Sequence, residues 1–212
     1  DSTSFMNFIS SKDSLSHFGV DTNTLMSLVI PDTYFINWTS PPKTILTRLQ
    51  DASDNFWKKN NRLQLAHDKG FTPLQIYIIA SITEQETNMA DDKGKVASVY
   101  INRLKQNMAL AADPTIKFAL RDFGLKRILY EHLKVQSPYN TYLNKGLPPG
   151  PICTPSAETI DAVLHAPETD YLFFVANADL SGYSHFSNNF AEHQQYAKLY
   201  QKAIDSLFRN KK

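Results

Sequence analysis

A chain of 212 residues is long enough for one large domain with a substantial core and needs no staples. Its 22 Lys plus Arg are balanced by 21 Asp plus Glu, and the net charge of +1 provides no global field to draw in nucleic acid or an anionic membrane. The single cysteine, Cys153, excludes an internal disulfide framework and any CxxC metal or redox site, and no apolar run reaches the roughly 18 residues that suggest a membrane span.

The first residue is Asp1 rather than methionine, so a trimmed or mature piece is expected, with any signal or anchor upstream. Residues 1–30 are Ser-rich and weakly patterned; Phe5, Phe8, Ile9, Phe18, Leu25, Leu28 and Val29 are spaced as in short helices or a linker remnant. Pro31-Asp32-Thr33-Tyr34 predicts a turn followed by an aromatic, strand-like piece. Ser40-Pro41-Pro42 then opens a helix expected from Lys43 through Trp57 to Leu65.

The next helix start is signalled three ways: Thr72 suits the N-cap, Pro73 the first helical position, and Gln75 completes a capping box. With the register fixed, about 100° per residue places Ile79, Ile82 and Glu86 on one face, flanked by Leu74 and Ile78, while Glu84 points toward Tyr77 and Ala80. Asp91-Asp92-Lys93-Gly94 is expected to break this helix. A further helix follows, with Val96, Val99, Tyr100 and Leu104 at helical spacing and Asn102 and Arg103 riding on it.

Asp113-Pro114-Thr115 predicts an N-cap aspartate with proline at the first helical position, a structural role that could by itself explain Asp113. Ser137-Pro138-Tyr139-Asn140-Thr141-Tyr142 and Gly146-Leu147-Pro148-Pro149-Gly150-Pro151 read as a long extended segment in which prolines forbid regular pairing; loops of this length are usually functional. Thr154-Pro155 starts a helix to His165, Tyr171 to Val175 is a buried-strand run, Ser184 to Ser187 a second short strand, and Asn189 onward a long helix. Helices outnumber strands, and the expected class is α+β with a small antiparallel sheet near the end. Repeats, low-complexity tracts and obvious linkers are absent from the sequence.

Of the two glutamates, Glu86 is the one expected against apolar side chains. Such surroundings disfavour the ionised form and raise the pKa, which keeps a glutamic acid protonated for use as a general acid. The same position also suits an inert, hydrogen-bonded glutamate at a frayed helix end. Neither a GxGxxG nor a Walker loop occurs, which disfavours nucleotide chemistry, and no cofactor is expected. His185 and His193 lack an HExxH pattern or clustered carboxylates and read as structural histidines rather than metal ligands; Cys153 lacks a nucleophile signature. One well-placed acid beside loops rich in Tyr, Asn, Thr and Pro suits a carbohydrate, because tyrosine faces pack on sugar rings and amides bond their hydroxyls.

Ala80-Ser81-Ile82-Thr83-Glu84-Gln85-Glu86-Thr87, Val96 through Leu104, Asp113-Pro114-Thr115, Ser137 through Tyr142, Gly146 through Ile152 and His185-Phe186-Ser187 stand in the order found in the YceG-like family, which the chain resembles from about Pro31 to Tyr200. The resemblance implies a lysozyme-like, mostly helical catalytic domain at 31–212, with 1–30 as a linker or the remnant of a LysM-like subdomain. It implies a bacterial inner-membrane enzyme, anchored by a single span absent here, whose catalytic domain faces the periplasm. Peptidoglycan glycan strands would be its substrate and peptidoglycan synthases its partners.

The family's catalytic glutamate maps onto Glu86, the residue that helical phase also selects. The implied reaction is an endolytic, non-hydrolytic cut of the bond between N-acetylmuramic acid and N-acetylglucosamine that leaves a 1,6-anhydro end. One residue acts as acid and then base, so a second catalytic carboxylate is not required. Tyr139, Asn140 and Thr141 are the expected substrate contacts, with Asp113, Asn102 and Arg103 beside the cleft. The chain departs from the pattern in Ala111-Ala112, where Gln-Thr is common, in Gln85 for a common lysine, and in Cys153; the first change puts one polar contact to the glycan in doubt. The rival readings are a hydrolytic muramidase using Glu84, Asp91 or Asp113 as second carboxylate, and a silent glycan-binding scaffold of a cell-wall synthesis complex.

Overall fold

The computed structural model describes residues 2–209, so Asp1 and residues 210–212, the outer ends of the two expected segments, lie outside it. The chain is organised around one helix, α5 (Pro73–Glu86). Its start is the predicted capping box: Thr72 Oγ1 accepts from the Gln75 amide at 3.2 Å and Gln75 Oε1 accepts from the Thr72 amide at 2.8 Å. Eight consecutive residues, Ile76 to Thr83, are buried, so the helix is enclosed on every side rather than along one apolar stripe. The sequence pattern under-reads this because Ser81 and Thr83 look polar. Each fully buried isoleucine here contributes about 2 kcal/mol.

Around α5 pack α6 (Ala90–Lys105) and α8 (Ala157–Leu164), which also touch one another. Val96, Tyr100, Ile160, Val163 and Leu164 meet Ile76, Ile79 and Ile82 in the main core. The turn between α5 and α6 falls at Thr87–Met89; Asp91, Asp92 and Gly94, expected as the breaker, form the first turns of α6, where the two aspartates favour the positive helix N-terminus. Gly94 packs there against Pro167, where an added Cβ would make an ordinary contact at 3.4 Å. Buried Asp92 accepts from the Ser184 amide at 2.7 Å and so ties α6 to the sheet.

The helix predicted over Lys43–Leu65 is two helices, α3 (Pro42–Lys58) and α4 (Arg62–Asp68), separated at Asn60 and Asn61, both left-handed with φ of 56° and 57°. Asparagine tolerates that conformation and here ends the run. Buried Arg62 then binds Asp161 of α8 through Nε (2.7 Å) and Nη2 (2.8 Å) and lies 3.9 Å over the Phe56 ring. No strand forms at Tyr34, whose hydroxyl donates to the Ile30 carbonyl instead.

The short helix α7 spans Asp113–Leu120 with Ala112 as its N-cap, one residue earlier than predicted, so Asp113 and Pro114 occupy the first two helical positions. Near the end, β1 (Phe173–Ala176) and β2 (Ser184–Ser187) pair antiparallel with Phe174 opposite Phe186, and α9 (Phe190–Arg209) packs on both. The predicted α+β class with a small antiparallel sheet is what the chain adopts.

At the other end, α1 (Ser2–Ser10) and α2 (Lys12–Ser16) surround a satellite core of Leu15, Phe18, Leu28 and Leu46. This segment is fastened to α5 because the buried Tyr77 hydroxyl reaches the carbonyls of Met26 (2.9 Å) and Val29 (2.6 Å). It is also pressed on the proline-rich loop, where a Cβ on Gly150 would lie 2.0 Å from the Asn23 carbonyl oxygen. Backbone would have to move, so Gly150→Ala is expected to cost about 1–3 kcal/mol. Urea denaturation followed by tryptophan fluorescence checks it; an unchanged midpoint would show that the two segments separate without penalty.

Candidate active site

Glu86 is the last residue of α5, and its partly buried carboxyl accepts a 2.5 Å hydrogen bond at Oε1 from Tyr100 of α6. Tyr100 is itself 2 % exposed and held edge-on against Phe174 of β1, with ring centroids 6.1 Å apart. Burial pushes Glu86 up to about 7, with the Asp113 charge adding to the rise; the Tyr100 hydrogen bond and the charges of Lys117 and Arg103 oppose it. The negative end of the α5 dipole, where Glu86 sits, works in the same direction as burial. Burial and the neighbouring Glu86 also raise Tyr100 well above the usual phenol range, so its hydroxyl remains a donor. A donor fixed on Oε1 leaves Oε2 as the oxygen able to carry and deliver a proton.

Glu84, two residues earlier, has the opposite environment. Burial alone would raise its pKa, yet hydrogen bonds from Thr159, Lys93 (3.1 Å) and Ser156 (3.2 Å) and the Lys93 charge outweigh it, and the carboxyl is held below the ordinary range. It is a structural anion that links α5 to α6 and α8.

Two cavities meet at Glu86. One, of about 430 Å³, is lined by Glu86, Tyr100, Arg103, Asp113, Tyr142 and His193 together with aromatic side chains of β1 and α9. The other, of about 700 Å³, shares Glu86 and Asp113 and runs toward Lys117, Lys126, Arg127, Tyr200 and Ile204. A third, of about 610 Å³, shares Asp113 and Tyr142. The acid therefore lies along a groove with space on either side.

The expected site residues divide. Asp113 and Arg103 line the cavity with Glu86; Tyr139, Asn140, Thr141 and Asn102 are not among its lining residues. Asp113 Oδ1 accepts from the Tyr142 hydroxyl at 2.5 Å. Arg103 donates to the carbonyls of Leu172 and Leu110, both at 2.7 Å, so one guanidinium joins the loop before α7 to the approach to β1. Asn140, fully buried, donates to the carbonyls of Leu133 and Val135 and accepts from the Tyr142 amide. Thr141 accepts from the Ala112 amide at 3.0 Å and contacts Thr115. Tyr139 packs on Phe118 with centroids 4.6 Å apart, and Asn102 donates to the carbonyls of Thr169 and Tyr171.

Tyr100, Tyr142 and His193 join the cavity without having been predicted for it. Tyr142 stood inside the loop motif, and Tyr100 stood one short turn away on the next helix; only tertiary packing turns them inward. His193 stacks on Phe173, its Nδ1 is buried without a partner among the described residues, and burial lowers its pKa. His185 is hydrogen-bonded to Glu192 at 3.3 Å and stacked on Tyr196, and burial pushes Cys153 up to about 11, where it stays a thiol.

The chain is thus a mostly helical α+β domain with a near-neutral acid, Glu86, where two open cavities meet and Asp113 beside it in both. The chain belongs to the YceG-like family, whose profile matches residues 3–199. It is 40 % identical over 126 residues to the endolytic murein transglycosylase of Bacillus subtilis, covering 59 % of this chain and 34 % of the relative. The protein of that name from Streptococcus pneumoniae strain R6 is 30 % identical over 177 residues, covering 81 % and 31 %. The crystal structure of a YceG-like protein from Listeria monocytogenes superimposes with a TM-score of 0.74 at 27 % identity, covering 92 % of this chain and 66 % of that one. The chain thus spans about a third of the length of the curated relatives it matches.

Opposite pKa shifts predict opposite pH signatures. Glu86, raised from 4.5 to about 7, binds its proton more tightly when folded, so its contribution is full below pH 4.5 and is lost as pH rises to about 7. Glu86→Gln should therefore stabilise the fold at pH 8 by about 1–3 kcal/mol and leave it nearly unchanged at pH 4. Glu84 is lowered, so its contribution is present above the unfolded carboxylate pKa and lost as pH falls through the folded value. Glu84→Gln should destabilise at pH 8 and little at pH 3. Thermal melts of both variants across pH decide this, and parallel pH curves for the two would refute the assignment.

Proposed function

We propose that this chain is the catalytic part of an endolytic murein transglycosylase, with Glu86 as its only proton-transfer residue. The observation that carries the reading is the Glu86 carboxyl itself: titrating at about 7, held on one oxygen by Tyr100, and set where two cavities meet. An acid whose pKa lies near the operating pH can both give and take a proton. The relatives named endolytic murein transglycosylase support murein as the substrate.

In the proposed reaction Oε2 of Glu86 gives its proton to the oxygen that links the muramyl C1 to N-acetylglucosamine. The C1–O bond breaks and the glucosamine leaves with a new 4-hydroxyl. Glu86, now a carboxylate, takes the proton from the muramyl C6 hydroxyl, whose oxygen bonds to C1 and closes the 1,6-anhydro ring. No water enters, and the nucleophile gains from belonging to the same sugar. Asp113 lines the cavity beside Glu86, which would let its charge offset positive charge developing on a bound sugar, and Arg103 holds two walls of the cavity in register. Tyr139, Asn140, Thr141 and Asn102 serve by fixing the loops that present Tyr142, Asp113 and the start of β1.

The family resemblance further supports a role in cell-wall assembly outside the cytoplasm, with a single-pass inner-membrane anchor and contact with peptidoglycan synthases. Among the described residues no helix is long and apolar enough to cross a membrane.

Mass spectrometry of peptidoglycan digested with the purified chain tests the chemistry. Anhydro-muramyl ends are expected; reducing ends, heavier by one water, would assign a hydrolase instead. Glu86→Gln should lower the rate by roughly 10²–10⁴-fold with the fold intact. Tyr100→Phe removes the bond that lowers the Glu86 pKa, so the basic limb of the pH–rate profile should move to higher pH; an unmoved limb would mean that Tyr100 does not set the titration.

A further inference from the structure

The cavity of about 700 Å³ begins at Glu86 and Asp113 and reaches three cations, Lys117, Lys126 and Arg127. In a chain whose charges balance to +1, three cations on one wall are a local excess. Among the described residues, the Lys and Arg ion pairs are Arg62 with Asp161, Lys93 with Glu84 and Lys95 with Asp92, so none of the three is held in a close ion pair; Glu86 and Asp113 are the carboxyl groups that share the cavity with them. Lys126 and Arg127 are exposed, while Lys117, one turn after Asp113 on α7, is close enough for its charge to lower the Glu86 pKa. Tyr200, Gln201 and Ile204 of α9 also line the cavity and bring no charge.

A neutral polysaccharide offers such a wall nothing to pair with. Murein differs in that its muramyl residue carries, through a lactyl ether, a short peptide bearing carboxylates. With the muramyl C1 at Glu86, that branch starts a few bonds from the acid and lies within reach of the adjoining cavity. We propose that Lys117, Lys126 and Arg127 form a subsite for the carboxylates of the peptide stem, so that stem-bearing strands are bound in preference to bare glycan. This rests on the reading of Glu86 as the acid of a murein-cleaving enzyme. Exposed pairs are individually weak and screened by salt, so the preference is modest, additive over several contacts and ionic-strength dependent.

Isothermal titration of the Glu86→Gln chain with murein oligomers, intact or with their stem carboxylates converted to neutral amides, measures the preference without cleavage. Intact oligomers should bind roughly 10-fold more tightly at low salt, with the advantage shrinking above about 0.15 M. Adding Lys126→Gln and Arg127→Gln should erase most of that advantage while affinity for the amide-capped oligomers and the circular dichroism spectrum stay unchanged. Equal affinity for the two oligomers, including none for either, or an advantage that survives both substitutions and high salt, overturns the subsite. The activity fails separately: a wild-type chain that shows this stem preference yet makes no anhydro ends keeps the subsite and loses the transglycosylase.

Discussion

A partly buried carboxyl group at the end of a helix whose middle is enclosed on every side is the constraint on which the rest depends. The capping box at Thr72 and Gln75 sets the phase of α5, eight buried residues hold that phase against the core, and Glu86 emerges where the helix can no longer be covered. A lone ionised carboxylate at that point would be costly. The Tyr100 hydroxyl offsets part of the cost without cancelling it, which leaves the group titrating near neutrality instead of permanently charged or permanently neutral. Had Tyr100 been a cation, Glu86 would resemble Glu84, whose Lys93 and hydroxyl partners hold it as an anion.

Much of the frame is legible in the sequence because it rests on local rules. The α5 cap, the second strand and the final helix follow from short-range chemistry and form where that chemistry places them, whereas the first strand, expected as a buried run from Tyr171 to Val175, forms at Phe173–Ala176 and is only half-buried. The misplacements are equally physical. Asp91-Asp92-Lys93-Gly94 reads as a breaker by composition, yet two aspartates are stabilised at a helix N-terminus and the glycine is accommodated against Pro167. Asn60 and Asn61 carry no helix-breaking glycine or proline, so the bend between α3 and α4 is invisible until both are seen in the left-handed region.

The site was legible for its acid and less so for its walls. Glu86 is fixed by phase along one helix, whereas Tyr100, Tyr142 and His193 reach the cavity from three separate elements. Polar residues in a long loop suggest ligand contact, but Asn140 and Thr141 are buried and occupied by backbone groups. A loop without regular pairing must satisfy its own carbonyls and amides, and side-chain amides and hydroxyls are the means. The same residues thus make the loop rigid enough to hold Tyr142 against Asp113.

The far side of the groove has a different mechanical status from the acid. Phe190, His193, Tyr200 and Ile204 belong to α9, whose main support is the ribbon of β1 and β2, while Glu86 and Tyr100 belong to the three-helix core. That ribbon is itself tied to the core by the Ser184 amide on Asp92 and by Phe174 against Tyr100, so α9 reaches the three-helix core through one intermediate layer. The groove therefore has one wall built on the core directly and one built on it through the sheet. A load on the second wall therefore reaches the Tyr100–Glu86 hydrogen bond by way of the sheet, through Phe174.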